Sequence, residues 1–385
     1  MILKQPEFNC LLDRIEKKRV FISNGKEKIA DVLEGIPVDA LPLIFVTERN
    51  HLAQEEMPYD REEQFYSKEK MLWAQLVNIE ACAGREFNSP LCLRPDFGTI
   101  FIPSLLGLEY KVFKDTYPCL TNHLTKDEIR SFQMPELRKS EMMQRAIEYI
   151  QYFKQNIPDW IHVYLPDTQG PFDIAHLIFG NNIFYEIHDD PEFVHTLMRI
   201  STDLYKDTTI ILKEVIGESL NSCYHGNAKF RGIFMRIGGI RIAADSATLI
   251  SPQHINEFVI PYDREVLQYF GGGFVHFCGK NEHLLDAYIC INEVRAVNLG
   301  QPEMYDSTSI MSKFLRSGKV YFGRWPKNSN ENYEQYIYRM IKASDGGKKG
   351  LLLQFDEDML KGDELIGIYK CWTNKIAASQ VYYEC

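Results

Sequence analysis

Eight short apolar runs, each closed by polar residues or glycine, set the strongest limit on what this 385-residue chain can fold into. They are Leu41–Val46, Gly98–Pro103, Ile161–Leu165, Ile240–Ala244, Phe274–Phe277, Val294–Leu299, Lys319–Gly323 and Gly350–Phe355. A run that stays apolar without alternating fits a strand buried on both faces, as in a parallel sheet covered by helices. Stretches with helical spacing lie between most of them. The start signals include Asp190-Pro191 and Ser251-Pro252, which place a capping side chain just before a proline at the first helical position. Strands alternating with helices predict an α/β fold. Eight of them, with no GxGxxG after the first, predict a closed (β/α)8 TIM barrel rather than an open doubly wound sheet. The chain reads as one barrel domain over residues 1–385, with residues 1–40 as an N-terminal helical extension. Residues 108–120 alternate as a hairpin or an edge excursion, the gap from 165 to 240 holds more than one helix, and a last helix is expected over 363–375.

Composition narrows the function classes. A net charge of −10 argues against nucleic acid, whose phosphates need a basic face. No apolar stretch reaches about 18 residues, so neither a signal peptide nor a membrane span is expected. The nine cysteines are odd in number and contain no CxxC pair, which suits free thiols in a reducing compartment. A cytoplasmic protein acting on a small molecule is the expectation.

A barrel gathers its chemistry at the C-terminal ends of the strands. Here those ends read Thr47-Glu48-Arg49, Asp167-Thr168, Asp245-Ser246, His276 with Cys278, Gln301, Arg324-Trp325 and Asp356-Glu357-Asp358. His276 and Cys278 are two apart, so in a strand both project to one side. They are either a hydrogen-bonded imidazole beside a core thiol or two ligands of a zinc ion, which needs three or four. Arg49 and Arg324 would clamp a substrate carboxylate or pair at the surface. Tyr164 and Trp325 offer an apolar wall.

The ordered motifs resemble a known family. Ile102-Pro103 through Leu106-Gly107-Leu108-Glu109, Gly170-Pro171-Phe172-Asp173 with Ala175-His176-Leu177, Asp245-Ser246 before Leu249-Ile250-Ser251-Pro252, Phe258 to Pro261-Tyr262, and the strand ending His276-Phe277-Cys278-Gly279 are similar to the uroporphyrinogen decarboxylase superfamily. The resemblance covers about residues 40–370 and implies a (β/α)8 barrel, a substrate-contacting role for Asp245 and Ser246, and a cleft lined near His176. It also separates two chemistries. The decarboxylases carry an arginine-rich segment where this chain has Thr47-Glu48-Arg49-Asn50-His51-Leu52, and a Gly-His-Gly where it has Gln354-Phe355-Asp356-Glu357. Their aspartate after strand two is replaced near Gly98, with Asp96 two residues earlier. Uroporphyrinogen is therefore not the expected substrate. The cobalamin-linked methyltransferases of the family match at His-x-Cys-Gly. The resemblance implies zinc on His276 and Cys278, a corrinoid methyl carrier on a partner protein, and a thiol acceptor. Their third ligand is a cysteine after strand eight; this chain has Asp356, Glu357 and Asp358 there, and a carboxylate of that group is the expected third zinc ligand. A decarboxylase of a smaller acid and a non-catalytic subunit that docks on a corrinoid protein are the alternatives, and the parent enzymes suggest a homodimer.

Overall fold

The computed structural model describes residues 5–17, 19, 25–39, 41–46, 59–82, 89–228, 231–344, 346, 349–356 and 371–372. Its strands are β1 (Leu43–Val46), β2 (Leu91–Leu93), β3 (Tyr110–Lys111), β4 (Cys119–Leu120), β5 (Ile161–Val163), β6 (Cys223–Ala228), β7 (Arg231–Met235), β8 (Ile240–Ala243), β9 (Gly273–Phe277), β10 (Val294–Leu299), β11 (Val320–Arg324) and β12 (Leu351–Asp356). Six of them form one parallel sheet in the order β1-β12-β11-β10-β9-β8. Their Ile242, Phe274, Val275, Val297, Phe322 and Leu352 are all buried. Burying one such side chain contributes about 1.5–3 kcal/mol, which is why these runs carry no alternation.

A second sheet has the order β5-β2-β7-β6, with β2 parallel to β5 and antiparallel to β7. At the seam between the sheets the segment after β5 runs beside β8, where Ala243 N–H donates to Gln169 O at 3.3 Å. The described ladders thus give a mixed α/β fold built on a parallel sheet with many helices, and the ring of an eight-stranded barrel is not continuous in them.

Two elements differ from the sequence expectation. Gly98–Pro103 is not the second strand: Gly98–Ile100 is a 3-10 turn that leads into the helix Phe101–Leu105. A short apolar run has no periodicity that tells a buried helix from a strand. The second strand is the three-residue β2, which sits seven residues earlier. The hairpin β6–β7 was not expected either, because Tyr224-His225-Gly226-Asn227 is polar and carries a glycine. It reaches the interior, with the His225 ring 4.9 Å from that of Tyr164 and 5.1 Å from that of Phe274. Residues 108–120 do form a hairpin, β3–β4.

The N-terminal lead-in is two helices, Gln5–Lys17 and Gly25–Leu33. The second is tied to the residue after β7 by Arg236, which pairs with Asp31 at 2.7 Å, Glu34 at 3.0 Å and Glu27 at 3.1 Å. The longest helix, Pro191–Ile216, starts as the sequence signals, with the Asp190 carboxylate accepting from Phe193 N–H at 3.1 Å. It stops at Gly217, whose φ of 79° lies in the left-handed region. Ser251 likewise caps its helix through His254 N–H. The expected helix over 363–375 falls outside the described residues except for Cys371 and Trp372, and Trp372 donates to Leu41 O at 2.8 Å. Among the described residues no helix is long and apolar enough to cross a membrane.

Candidate metal centre

The end of β9 and the loop after β8 bring three donors together. His276 Nε2 lies 3.6 Å from Cys278 Sγ and 3.8 Å from Asp245 Oδ1. Among the described residues these three are the group of potential metal ligands that converges, each offering one atom within 4.8 Å of the others. The parallel pairing Ala243↔His276 puts the ends of β8 and β9 level, and so places Asp245 beside the two residues the sequence had paired.

The imidazole is fixed from behind. Asn298 on β10 donates through Nδ2 to Phe322 O at 2.5 Å, so its Oδ1 faces His276 Nδ1, also at 2.5 Å. Nδ1 must then carry the proton, and Nε2 is left with a bare lone pair toward Cys278 and Asp245. Burial, with the Arg241 charge second, lowers the His276 pKa and favours this neutral form. Burial and the Asp245 charge push the Cys278 thiol up. Asn298→Leu, which removes the acceptor for Nδ1–H, is expected to weaken zinc binding about 10- to 100-fold. A zinc titration checks it, and unchanged affinity would remove Asn298 from the account.

Asp245 is held through its backbone and through its side chain. Its Oδ1 accepts from Cys278 N–H at 2.6 Å. The buried Asp173 carboxylate accepts from Asp245 N–H at 2.9 Å and Ser246 N–H at 2.8 Å. Burial first, and then the Asp245 charge, raise Asp173 to about 7. His176 stands one turn along the same helix, Pro171–Phe179, and bridges Ser246 Oγ and Asn181 Oδ1, both at 2.8 Å. Gln301 Oε1 accepts from Gly279 N–H at 2.5 Å. Gly300 lies against the thiol: a Cβ on it would stand 2.7 Å from Cys278 Sγ and 3.1 Å from Cys278 Cα.

Below the three donors lies a charged group. Asp167 Oδ1 is 3.2 Å from Arg241, and its Oδ2 is 3.6 Å from Arg94, which also contacts Asp96 at 3.4 Å. Burial alone would raise the Asp167 carboxyl, but the two guanidinium groups and Gln169 hold it well below the usual range. Gln169 has a φ of 58° and donates through Nε2 to Asp167 Oδ1 at 2.6 Å. A non-glycine residue in the left-handed region is strain of the kind that gathers at functional sites.

The sequence expectations divide accordingly. His276, Cys278, Asp245 and Ser246 are brought together. Asp245 joins the donors themselves, where the resemblance gave it a substrate contact. Arg324 ends β11 exposed. Trp325 is buried against the Tyr321 ring. Arg49, Glu357 and Asp358 lie outside the described residues, and only the backbone of Asp356 is described, paired with Val46. Arg94, Asp167 and Arg241 were not singled out as a group. A charge inside the apolar run Ile240-Arg241-Ile242 was the available signal, since a strand buried on both faces admits an arginine only where it meets a partner.

Comparison with known proteins adds three findings. The sequence model of the family described as Uroporphyrinogen decarboxylase (URO-D) matches residues 24–311. No curated protein matches the sequence. The fold is similar to that of a methyltransferase from Methanosarcina mazei, at a TM-score of 0.65 and 13% identity, over 94% of this chain and 99% of that one.

Proposed function

The chain belongs to the uroporphyrinogen decarboxylase family, and from that premise we propose that it is a zinc-dependent methyltransferase that moves a methyl group from a corrinoid, carried by a partner protein, to a thiol. One observation carries this reading: a bare imidazole nitrogen, a thiol and a carboxylate converge within 4.8 Å at the ends of adjacent strands. Nitrogen, sulfur and oxygen donors in that number suit a catalytic zinc site, which takes three protein ligands and leaves a fourth position open. Asp245, His276 and Cys278 would hold the ion. When bound, zinc would supply acidity, letting a thiol be a thiolate at neutral pH. In the proposed transfer the thiol sulfur would gain the methyl group through its own electron pair, and the pair of the broken Co–C bond would remain with the corrinoid.

The rest is the work of the chain's own residues. Asn298 keeps the imidazole proton off Nε2, and Asp173 holds the two amides that set the direction of Asp245. The fold shared with the Methanosarcina mazei methyltransferase supports a barrel of the family type, with the site at its C-terminal mouth.

The test is zinc content after purification, then a zinc titration of the stripped protein at several pH values, then incubation of the loaded protein with methylcobalamin and a panel of small thiols. About one zinc per chain and formation of a thioether are expected. Burial lowers the His276 pKa and so favours the neutral ligand, whereas the raised Cys278 thiol must lose a proton to bind. Affinity should therefore rise about tenfold per pH unit through the neutral range, as one proton is released per ion bound. A protein that takes up no zinc, or that releases carbon dioxide from a carboxylated substrate without it, would overturn the proposal.

A further inference from the structure

Behind β9 lies an acid that the proposed chemistry does not use. Asp263 is buried on the helix Ile260–Tyr269, which precedes the strand. Its Oδ2 accepts from the Tyr288 hydroxyl at 2.5 Å, and its Oδ1 is buried without a hydrogen-bond partner. Tyr288 is buried on the helix Glu282–Ile289, which follows the strand. The pair therefore joins the two helices that flank β9 in the chain. The Tyr288 ring also stacks on that of Phe277, with centroids 6.4 Å apart and planes at 26°. Phe277 sits between His276 and Cys278, and by the strand's period of two it faces away from them, toward these helices.

Among the described residues no cation is placed to hold this carboxylate as an anion. Arg199 and Lys206 of the neighbouring helix, Pro191–Ile216, pair with Glu265. Arg264 and His283 are exposed, and Glu282 and Asp286 face Lys313. His195 faces Glu257, and His176 is engaged by Ser246 and Asn181. The groups whose charge reaches Asp263 are Asp173, another buried acid, and the hydroxyls of Tyr288 and Tyr205. A carboxyl taken out of water without a cation keeps its proton. Burial raises Asp263 to about 8; the Tyr288 hydrogen bond pulls the other way, and the Asp173 charge adds to the rise.

We propose that Asp263, held as a neutral acid, and Tyr288 form a latch across the helices flanking β9, which positions the strand end carrying His276 and Cys278 and which alkali opens. While the acid is neutral, its bond to the hydroxyl holds Tyr288 against Phe277. Once it ionises, the buried anion has a single hydrogen bond, so water must enter and part the helices. The latch is independent of any metal; its effect on zinc rests on the proposed centre.

The experiment follows the whole, metal-stripped protein with its Asp263→Asn and Tyr288→Phe variants from pH 6 to pH 9. Asp263→Asn keeps an acceptor for Tyr288 and cannot ionise. The native state holds a proton that the unfolded chain releases above about pH 4, so stability falls as pH rises until the native group itself titrates. Asp173 shares this sign, so the readout is the difference between the native protein and Asp263→Asn. In urea unfolding the variant's unfolding constant should drop at least about tenfold relative to the native one between pH 6 and pH 9. Infrared spectra at pH 6 should show a protonated carboxylic acid band that Asp263→Asn lacks. The strand end is read by alkylation of Cys278, located by mass spectrometry. The ratio of native to Asp263→Asn rates cancels the thiol's own titration, and it should rise about tenfold from pH 7 to pH 9, as the ionised fraction does. Tyr288→Phe, which cuts the latch and leaves the acid, should react faster than the native protein already at pH 7. Parallel unfolding profiles, no acid band lost with Asp263, or a constant alkylation ratio would each overturn the latch. Should Asp263→Asn not fold, equal alkylation of Tyr288→Phe and the native protein at pH 7 overturns it. Zinc uptake is measured separately, so a protein that binds no zinc removes the metal centre and leaves the latch to these readouts.

Discussion

Cys278→Ser is expected to lower zinc affinity by more than about 100-fold, because changes only to the partners behind a ligand already cost 10- to 100-fold. Cys278 Sγ stands 3.6 Å from His276 Nε2, and Asp245 Oδ1 accepts from the Cys278 backbone N–H, so the backbone geometry survives the change while the donor does not. A serine hydroxyl does not ionise at neutral pH, and it leaves two protein donors where zinc needs three. His276→Ala should do as much. Cys290→Ser, at an exposed thiol, is the control and should bind zinc as the native protein does. Competition against a chromophoric chelator measures all three. Because Cys278 is only half-buried, circular dichroism should show each variant folded. Native-like affinity in the Cys278 and His276 variants would mean that any zinc sits elsewhere.

Gly170→Ala should be strongly destabilising and should disturb the site through the backbone. Gly170 has an extended φ of −141°, so the constraint is space. A Cβ there would press inside van der Waals contact of the Ala243 carbonyl oxygen and stand 2.7 Å from Ile242 Cγ2. Relief requires the segment after β5 to move off β8. That movement breaks the Ala243 N–H to Gln169 O bond and shifts Asp173, three residues on, away from the amides of Asp245 and Ser246. Overpacking of a rigid contact costs about 1–3 kcal/mol and occasionally more; loss of the bonds that depend on it puts this case near about 3 kcal/mol or above. Urea unfolding should show a lower midpoint with an unchanged slope, and zinc affinity should fall as well. A midpoint equal to that of the native protein would show that the seam yields more easily than its packing suggests.

Much of this was legible in the residues because the physics is local. The strands of the parallel sheet announced themselves as mostly apolar runs, and the period of two put His276 and Cys278 on one side. What the sequence hid depends on chain neighbours that are distant in number. Asp245 lies more than thirty residues from Cys278, and only the parallel register of β8 and β9 makes it a third donor. Asp173 stood in a quoted motif, yet its task, accepting from two amides some seventy residues on, has no signature of spacing. β2 went unrecognised because three apolar residues are too few to show a period, while the apolar helix beginning at Phe101 imitated a strand. Strand β6 was hidden by its polarity. Its His225 faces the charged interior around Arg94 and Arg241, and a strand turned toward such partners loses the apolar pattern by which strands are found.

Gly300 carries a consequence of a different order. The room beside the Cys278 sulfur exists because residue 300 ends at its Cα, and one added carbon would crowd both the sulfur and the Cα behind it. The parallel strands on either side need none of that room. A lineage could therefore lose the proposed ion and keep the architecture through a glycine-to-alanine change, with every candidate ligand still spelled out in its sequence. Among descendants of such a chain, a search by ligand motif would count active and silent members alike, and residue 300 would be the position that tells them apart.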